Sequence, residues 1–177
     1  MRGPAGDNGR VRKSVAATGS AIFFALAPGT VAGLGPWWLT GWRVGAPFAH
    51  LWPLRLVGAL LVLAGAAVLI HAFARFVAEG WGTPAPVAPT ARLVVGGLYK
   101  YVRNPMYLAV TATILGQALL LWRPVLLAYA AVVLAAMVAF VLGYEQPALS
   151  RQFGESYEAY LRAVPGWWPR LRPRSRP

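Results

Sequence analysis

The chain has 177 residues, of which 58% are hydrophobic and 12% charged, with a mean hydropathy of +0.52 and a formal net charge of +12. A soluble domain carries about 25% charged residues, so this composition excludes an ordinary soluble domain and indicates a membrane protein. The sequence contains no cysteine, which excludes disulfides, thiol nucleophiles and thiolate metal sites.

Four windows lack Asp, Glu, Lys and Arg, at residues 14–42, 56–74, 104–122 and 124–144. Each can supply the roughly 20 apolar residues that span a bilayer core. They predict an all-α integral membrane protein of about four transmembrane helices, near residues 14–35, 54–78, 105–122 and 124–144. Pro28-Gly29 predicts a kink in the first helix, and Trp122-Arg123-Pro124 predicts a tight hairpin between the third and fourth. The predicted organisation is a disordered basic N-terminus, two transmembrane helices and a C-terminal core, at residues 1–13, 14–78 and 79–177.

Basic residues are distributed unevenly over the predicted loops. The N-terminus, the second loop and the C-terminus hold most of them, whereas the first and third loops hold only Arg43, Arg55 and Arg123. The positive-inside rule therefore predicts that both termini are cytoplasmic. Anionic lipid headgroups are sufficient partners for the basic residues, and no nucleic-acid partner is predicted.

An amphipathic helix is predicted after the fourth span. One face carries apolar and aromatic residues at spacings of three and four, namely Leu149, Phe153, Tyr157, Tyr160 and Val164. We expect this helix to lie at the membrane interface and to pack over the hairpin.

The polar residues capable of chemistry fall on either side of the predicted hairpin. Arg103 and Asn104 precede the third span and Glu145 follows the fourth, so the hairpin brings them to the same cytoplasmic face. One interpretation is a structural Arg103–Glu145 ion pair. The other is a ligand with a carboxylate for Arg103, an ammonium for Glu145 and a ring that stacks on an aromatic side chain. S-adenosylmethionine has all three groups. No metal site is predicted, since no carboxylate lies at ligand spacing from His50 or His71.

Two sequence blocks carry a resemblance to a known superfamily. The first is Gly97-x-Tyr99 with Arg103-Asn104-Pro105-Met106-Tyr107, and the second contains Glu145, Leu149, Phe153-Gly154, Tyr157, Tyr160 and Val164-Pro165. With a membrane hairpin between them, they resemble the isoprenylcysteine carboxyl methyltransferase and phospholipid N-methyltransferase superfamily. The Gly82-Thr83-Pro84 loop is similar to that of bacterial members, which implies a bacterial inner membrane location.

The resemblance implies an S-adenosylmethionine-dependent methyltransferase that acts on a lipophilic acceptor, such as an isoprenylcysteine carboxylate or a phospholipid amine. Arg103 and Glu145 are the expected catalytic residues and anchors of the cofactor's amino-acid end. The remaining expected cofactor-binding residues are those that shape the cleft or close it, Tyr99, Asn104, Pro105, Tyr107, Tyr157 and Tyr160.

The chain departs from the family pattern at two positions. Gln146 replaces the second glutamate, and Asn104 replaces the histidine of the eukaryotic carboxyl methyltransferases. Two alternatives stay open at this point: a non-enzymatic membrane subunit and a nicotinamide-dependent enzyme like the membrane sterol reductases. The sequence does not determine the acceptor, the choice of O- or N-methylation, or the oligomeric state.

Overall fold

The computed structural model describes residues 26–46, 51–80 and 93–172; at residue 73 and residues 76–80 it describes the backbone alone. Every regular element within these ranges is helical, as the sequence predicts. The helices are α1 (26–40), α2 (Pro53–Gly80), α3 (Pro105–Leu121), α4 (Val125–Phe153) and α5 (Glu155–Ala163). A 3-10 turn, Gly97–Lys100, precedes α3. Both α1 and α4 contain a π-helical turn, at Thr30–Leu34 and Val141–Glu145.

Two of the helices are long and apolar enough to cross a membrane, Pro53–Ala72 and Val125–Phe153. α3 is apolar but has only 17 residues. The first predicted span lies partly outside the described residues, and the predicted disordered segment 1–13 lies wholly outside them. In the described part of that span, helix continues through Pro28-Gly29, and the irregularity is the π-helical turn that follows. The four-span topology stays a prediction.

α3 is the centre of the fold, and its most extensive interface is with α2. Three glycines allow the two backbones to approach closely. A Cβ atom built on Gly58 would lie 2.7 Å from the Gly116 carbonyl oxygen, and one on Gly116 would lie 2.8 Å from the Val62 nitrogen. A Cβ on Gly65 would lie 2.9 Å from the Ala109 carbonyl oxygen. Small residues at such contacts are typical of membrane helix pairs, and Gly58 and Gly65 therefore pack within the chain.

Side-chain hydrogen bonds connect α1 to α3 and α4. Their acceptors are backbone carbonyl groups of α1 to which Pro36 cannot donate a hydrogen bond. Pro36 lacks the N–H that would otherwise bond to Ala32 in an α turn or to Val31 in a π turn. The Gln117 amide of α3 donates to the Ala32 oxygen at 2.7 Å, and the Tyr129 hydroxyl of α4 donates to the Val31 oxygen at 2.9 Å. These two bonds satisfy the irregular turn and fix the position of α1 over the hairpin.

Replacing Gln117 by leucine or Tyr129 by phenylalanine is expected to lower the free energy of unfolding by about 1 kcal/mol each, because each leaves a partly buried carbonyl without its donor. Unfolding in mixed micelles of mild detergent and dodecyl sulfate measures the change. Tyr144→Phe is the matched control, since the Tyr144 side chain is exposed on α4. Equal losses for Tyr129→Phe and Tyr144→Phe would contradict this role of the π turn.

The region after Glu145 differs from the single amphipathic helix predicted. α4 continues without a break through Glu145 to Phe153, and a separate α5 starts at Glu155. The break falls at Gly154, whose φ of 51° is in the left-handed region that glycine tolerates. The predicted apolar face nevertheless forms, since Tyr157, Tyr160 and Val164 are buried in one cluster with Leu149 and Phe153 packed against it. Its location at the membrane interface stays a prediction.

Candidate functional site

A cavity of about 150 Å³, here named the central cavity, lies at the end of the helices where α3 begins. Its polar end is formed by Tyr99, Arg103, Asn104, Tyr107 and Glu145. Its apolar end is formed by residues of α1, α2, α3 and α4, namely Ala27, Pro28, Val31, Leu69, Pro105, Met106, Val110 and Met137. One cavity therefore offers charged groups at one end and hydrocarbon at the other.

The hairpin brings Arg103 and Glu145 to this one cavity, as the sequence predicts, but they do not form the ion pair of the structural interpretation. The Nε and Nη1 atoms of Arg103 are buried and have no hydrogen-bond partner. Glu145 instead accepts a hydrogen bond on Oε2 from the Tyr107 hydroxyl, at 2.8 Å. An unpaired buried donor is unfavourable, and neither of these two nitrogens is satisfied by Glu145.

Asn104 is placed at the start of α3 in a position that favours helix capping, but its side chain does not cap the helix. Its side chain is 7% exposed, and the Nδ2 atom is buried without a hydrogen-bond partner. Pro105, at the first helical position, has no N–H to satisfy, which makes a capping side chain less necessary. The Asn104 amide is therefore a further unsatisfied donor beside Arg103.

A turn after α5 covers the polar end of the cavity. The Arg103 N–H donates to the Pro165 oxygen at 2.9 Å, and the Arg170 N–H donates to the Tyr101 oxygen at 3.0 Å. Gly166 is buried against the unpaired donors, because a Cβ there would lie 3.1 Å from Arg103 Nη2 and 3.5 Å from Asn104 Nδ2. Sequence reasoning missed Gly166, although it follows directly after the Val164-Pro165 motif.

Tyr157 and Tyr160 are buried behind the cavity and do not line it, so the prediction that they close the cleft is not what the structure shows. Tyr160 donates its hydroxyl hydrogen to the Tyr99 oxygen at 2.7 Å. Burial raises the pKa of the Tyr157 phenol, and the neighbouring Arg103 guanidinium opposes that shift. Tyr160 thus contacts Tyr99, and Tyr157 contacts Arg103, outside the lining of the cavity.

The sequence of this chain matches the model of one protein family. The model of the phospholipid methyltransferase family matches residues 54–156, which is more than half of the chain. The chain belongs to the phospholipid methyltransferase family. Neither the comparison with curated proteins nor the comparison with solved structures found a match.

Membership of the phospholipid methyltransferase family confirms the predicted relationship. The match begins in the first turn of α2 and ends in the first turn of α5, so it includes Arg103 and Glu145 but neither α1 nor the turn at Gly166. Together with the apolar helices, it indicates an integral-membrane methyltransferase.

The two departures from the superfamily pattern have different consequences. Gln146 does not line the central cavity, whereas Asn104 does. The loss of the second glutamate therefore leaves the cavity's charge unchanged. The asparagine replaces a histidine with a neutral amide that cannot take up a proton near physiological pH.

Proposed function

We propose that this protein transfers a methyl group from S-adenosylmethionine to a lipophilic acceptor within the membrane. The observation that supports this most directly is the set of unpaired donors in the central cavity. Arg103 Nε, Arg103 Nη1 and Asn104 Nδ2 are buried without partners in a space that also contains the Glu145 carboxylate. A ligand with both a carboxylate and an ammonium group complements these charges, as does the amino-acid end of S-adenosylmethionine.

Arg103 is proposed to bind the carboxylate of that amino-acid end. Its Nε and Nη1 atoms are both unpaired, so a carboxylate can accept a charge-assisted hydrogen bond from the guanidinium. Asn104 supplies a neutral donor beside it. Because the backbone at Arg103 is held by the Pro165 oxygen at 2.9 Å, the guanidinium starts from a fixed position.

Glu145 is proposed to bind the ammonium group. The Tyr107 hydroxyl occupies one oxygen of the carboxylate and so orients the other. Tyr107 lies in the first turn of α3 and Glu145 at the end of the π-helical turn of α4. The two anchors of the ligand thus come from opposite arms of the hairpin.

The cavity formed by the described residues is too small to hold a whole cofactor molecule. A volume of about 150 Å³ is below the roughly 300–1,000 Å³ of pockets for drug-sized ligands. It suits the amino-acid end of the cofactor, with the nucleoside extending beyond the described lining. This agrees with the polar groups of the described lining residues, which match the carboxylate and ammonium of an amino acid.

Bound S-adenosylmethionine would supply an electrophilic methyl group for an in-line displacement that yields S-adenosylhomocysteine and the methylated acceptor. The protein's own contribution is then mainly to position the two reactants and to exclude water. The apolar end of the cavity, with Met106 and Met137, suits an acceptor that enters from the hydrocarbon side. A carboxylate acceptor needs no base, whereas an amine acceptor must first lose a proton. The described residues that line the cavity include no histidine, and we propose a carboxylate or another acceptor that is already nucleophilic.

Calorimetry with the purified protein in detergent tests this function. S-adenosylhomocysteine is expected to bind, and NADPH is expected not to bind. Binding of NADPH without S-adenosylhomocysteine would favour a reductase, and binding of neither ligand to a folded sample would favour a non-enzymatic subunit. Transfer of a labelled methyl group to lipid extracts then identifies the acceptor as a carboxylate or an amine.

A further inference from the structure

Three arginines converge at the end of the fold opposite the central cavity. Arg43 follows α1, Arg55 lies in the first turn of α2, and Arg123 connects α3 to α4. α3 separates this face from Arg103 by 17 residues, or about 26 Å at 1.5 Å per residue. The methyltransferase site uses none of these arginines.

Backbone contacts hold the three arginines around one short loop. The Arg123 Nε atom donates to the Arg43 oxygen at 2.8 Å, and the Arg55 Nη2 atom donates to the Gly45 oxygen at 2.7 Å. The Gly45 N–H donates to the Leu121 oxygen at 2.8 Å. Two residues of chain span at most about 7 Å, so the carbonyl groups that anchor the guanidinium groups of Arg123 and Arg55 are close neighbours.

Part of this positive charge has no partner. The Arg55 Nε atom is buried and makes no hydrogen bond. The carboxylates described with their side chains, Glu145, Glu155 and Glu158, come 20 or more residues after the start of α4, at its far end. Glu79 lies 24 residues beyond Arg55 on α2, about 36 Å along the helix. The guanidinium groups of Arg55 and Arg123 are thus anchored to one short loop that also carries Arg43, with no carboxylate among the described side chains nearby.

The surroundings indicate a site at the membrane surface. Trp42 and Trp52 are 54% and 58% exposed on the same end of the molecule, and exposed tryptophans favour the headgroup region of a bilayer. Trp42 is held by a bond from its Nε1 atom to Gln117 Oε1 at 3.3 Å. A phosphate group beside such residues belongs to a lipid rather than to a soluble ligand.

We infer that Arg43, Arg55 and Arg123 form a binding site for the phosphate of an anionic phospholipid, on the face opposite the central cavity. Arg55 supplies the fixed, partly buried donor. Arg43 and Arg123 supply charge around it. This site goes beyond the proposed methyl transfer, and its occupant is a lipid that stays bound rather than a substrate.

Native mass spectrometry of the protein in detergent tests the site, with phosphatidylglycerol and phosphatidylcholine of identical chains as probes. We expect phosphatidylglycerol to bind more tightly, and Arg43→Gln to weaken it by about fivefold, because one arginine near the surface contributes about that factor. The Arg43 side chain is exposed, so its replacement is not expected to affect folding. Arg43→Lys should retain the binding, and Arg43→Gln/Arg55→Gln should abolish the preference for the anionic lipid.

The matched control is Arg151→Gln, which removes an exposed arginine at the other end of α4. An equal loss of phosphatidylglycerol binding in Arg151→Gln would overturn the site, since it would reveal a non-specific effect of net charge. Equal binding of the two lipids by wild type would also overturn it. Competition by millimolar inorganic phosphate as effective as by lipid would refute a lipid occupant in favour of a free anion. These readouts do not depend on methyl transfer.

Discussion

Arg103→Met is expected to weaken S-adenosylhomocysteine binding by at least tenfold, about 1.4 kcal/mol, without lowering the stability of the ligand-free protein. Two guanidinium nitrogens are buried without partners. Methionine removes these unsatisfied donors, which offsets the loss of the hydrogen bond between the guanidinium and Tyr157. The bound ligand would lose the charged partner of its carboxylate. Calorimetry measures the affinity, and unfolding in mixed micelles measures the stability.

This combination distinguishes a ligand anchor from a structural residue. If Arg103 served the fold, Arg103→Met would lower the free energy of unfolding and would leave the affinity of the remaining folded protein unchanged. Arg103→Lys should give an intermediate affinity, because it retains the charge but not the fixed, planar set of guanidinium donors. Arg162→Ala, an exposed arginine on α5, controls for net charge and should bind as wild type does.

Glu145→Gln is expected to weaken the binding of S-adenosylhomocysteine by a comparable factor, because it removes the charge opposite the ammonium group. The amide oxygen of the glutamine can still accept the hydrogen bond from Tyr107. Glu155→Gln, on the exposed surface of α5, is the matched control. If Glu145→Gln bound S-adenosylhomocysteine as tightly as wild type does, Glu145 would not be the ammonium partner.

Gly116→Ala is expected to lower the free energy of unfolding by about 3 kcal/mol, at the upper end of the usual cost of overpacking. The added Cβ would lie 2.7 Å from the Gly58 oxygen and 2.8 Å from the Val62 nitrogen. Both are backbone atoms, so relief requires the two helices to move apart rather than a side chain to rotate. Unfolding in mixed micelles gives the magnitude.

Gly143→Ala provides the control for this substitution. Gly143 also lies within a helix of the bundle, but a Cβ there has nothing within 4 Å. Alanine is favoured over glycine in helices by about 0.5–1 kcal/mol, so Gly143→Ala should be neutral or slightly stabilising. Similar losses of unfolding free energy in Gly116→Ala and Gly143→Ala would show that alanine is unfavourable in these helices for a local reason. The contact between α2 and α3 would then not be tight.

The sequence predicted that Arg103 and Glu145 lie close together, because their proximity depends only on the hairpin between them. Arg103 and Glu145 flank an apolar hairpin with a three-residue turn, and such a hairpin leaves its two outer ends together whatever the packing of its neighbours. The structure has α3 ending at Leu121 and α4 starting at Val125, and the two side chains line one cavity. The apolar face after Glu145 was also predictable, since its spacing of three and four persists across the break at Gly154.

The contribution of α1 was not predictable from its sequence. Ala27, Pro28 and Val31 line the cavity's apolar end, yet apolar residues in an apolar helix carry no signal that distinguishes a cavity wall from a lipid-facing surface. Their position depends on the bonds from Gln117 and Tyr129 to the π-helical turn. The two partners of each bond are 85 and 98 residues apart in the sequence, respectively.

By itself, the sequence determined the all-helical apolar architecture, the family and the residues that supply charge, because composition, periodicity and motif spacing are properties of the chain alone. The tertiary structure decided how those charges are used. Arg103 and Glu145 arrive at one cavity but bond elsewhere or not at all, and Tyr157 and Tyr160 support the site from behind. Whether two nearby charges pair depends on the direction of each side chain and on competing partners such as Tyr107, and packing alone fixes both.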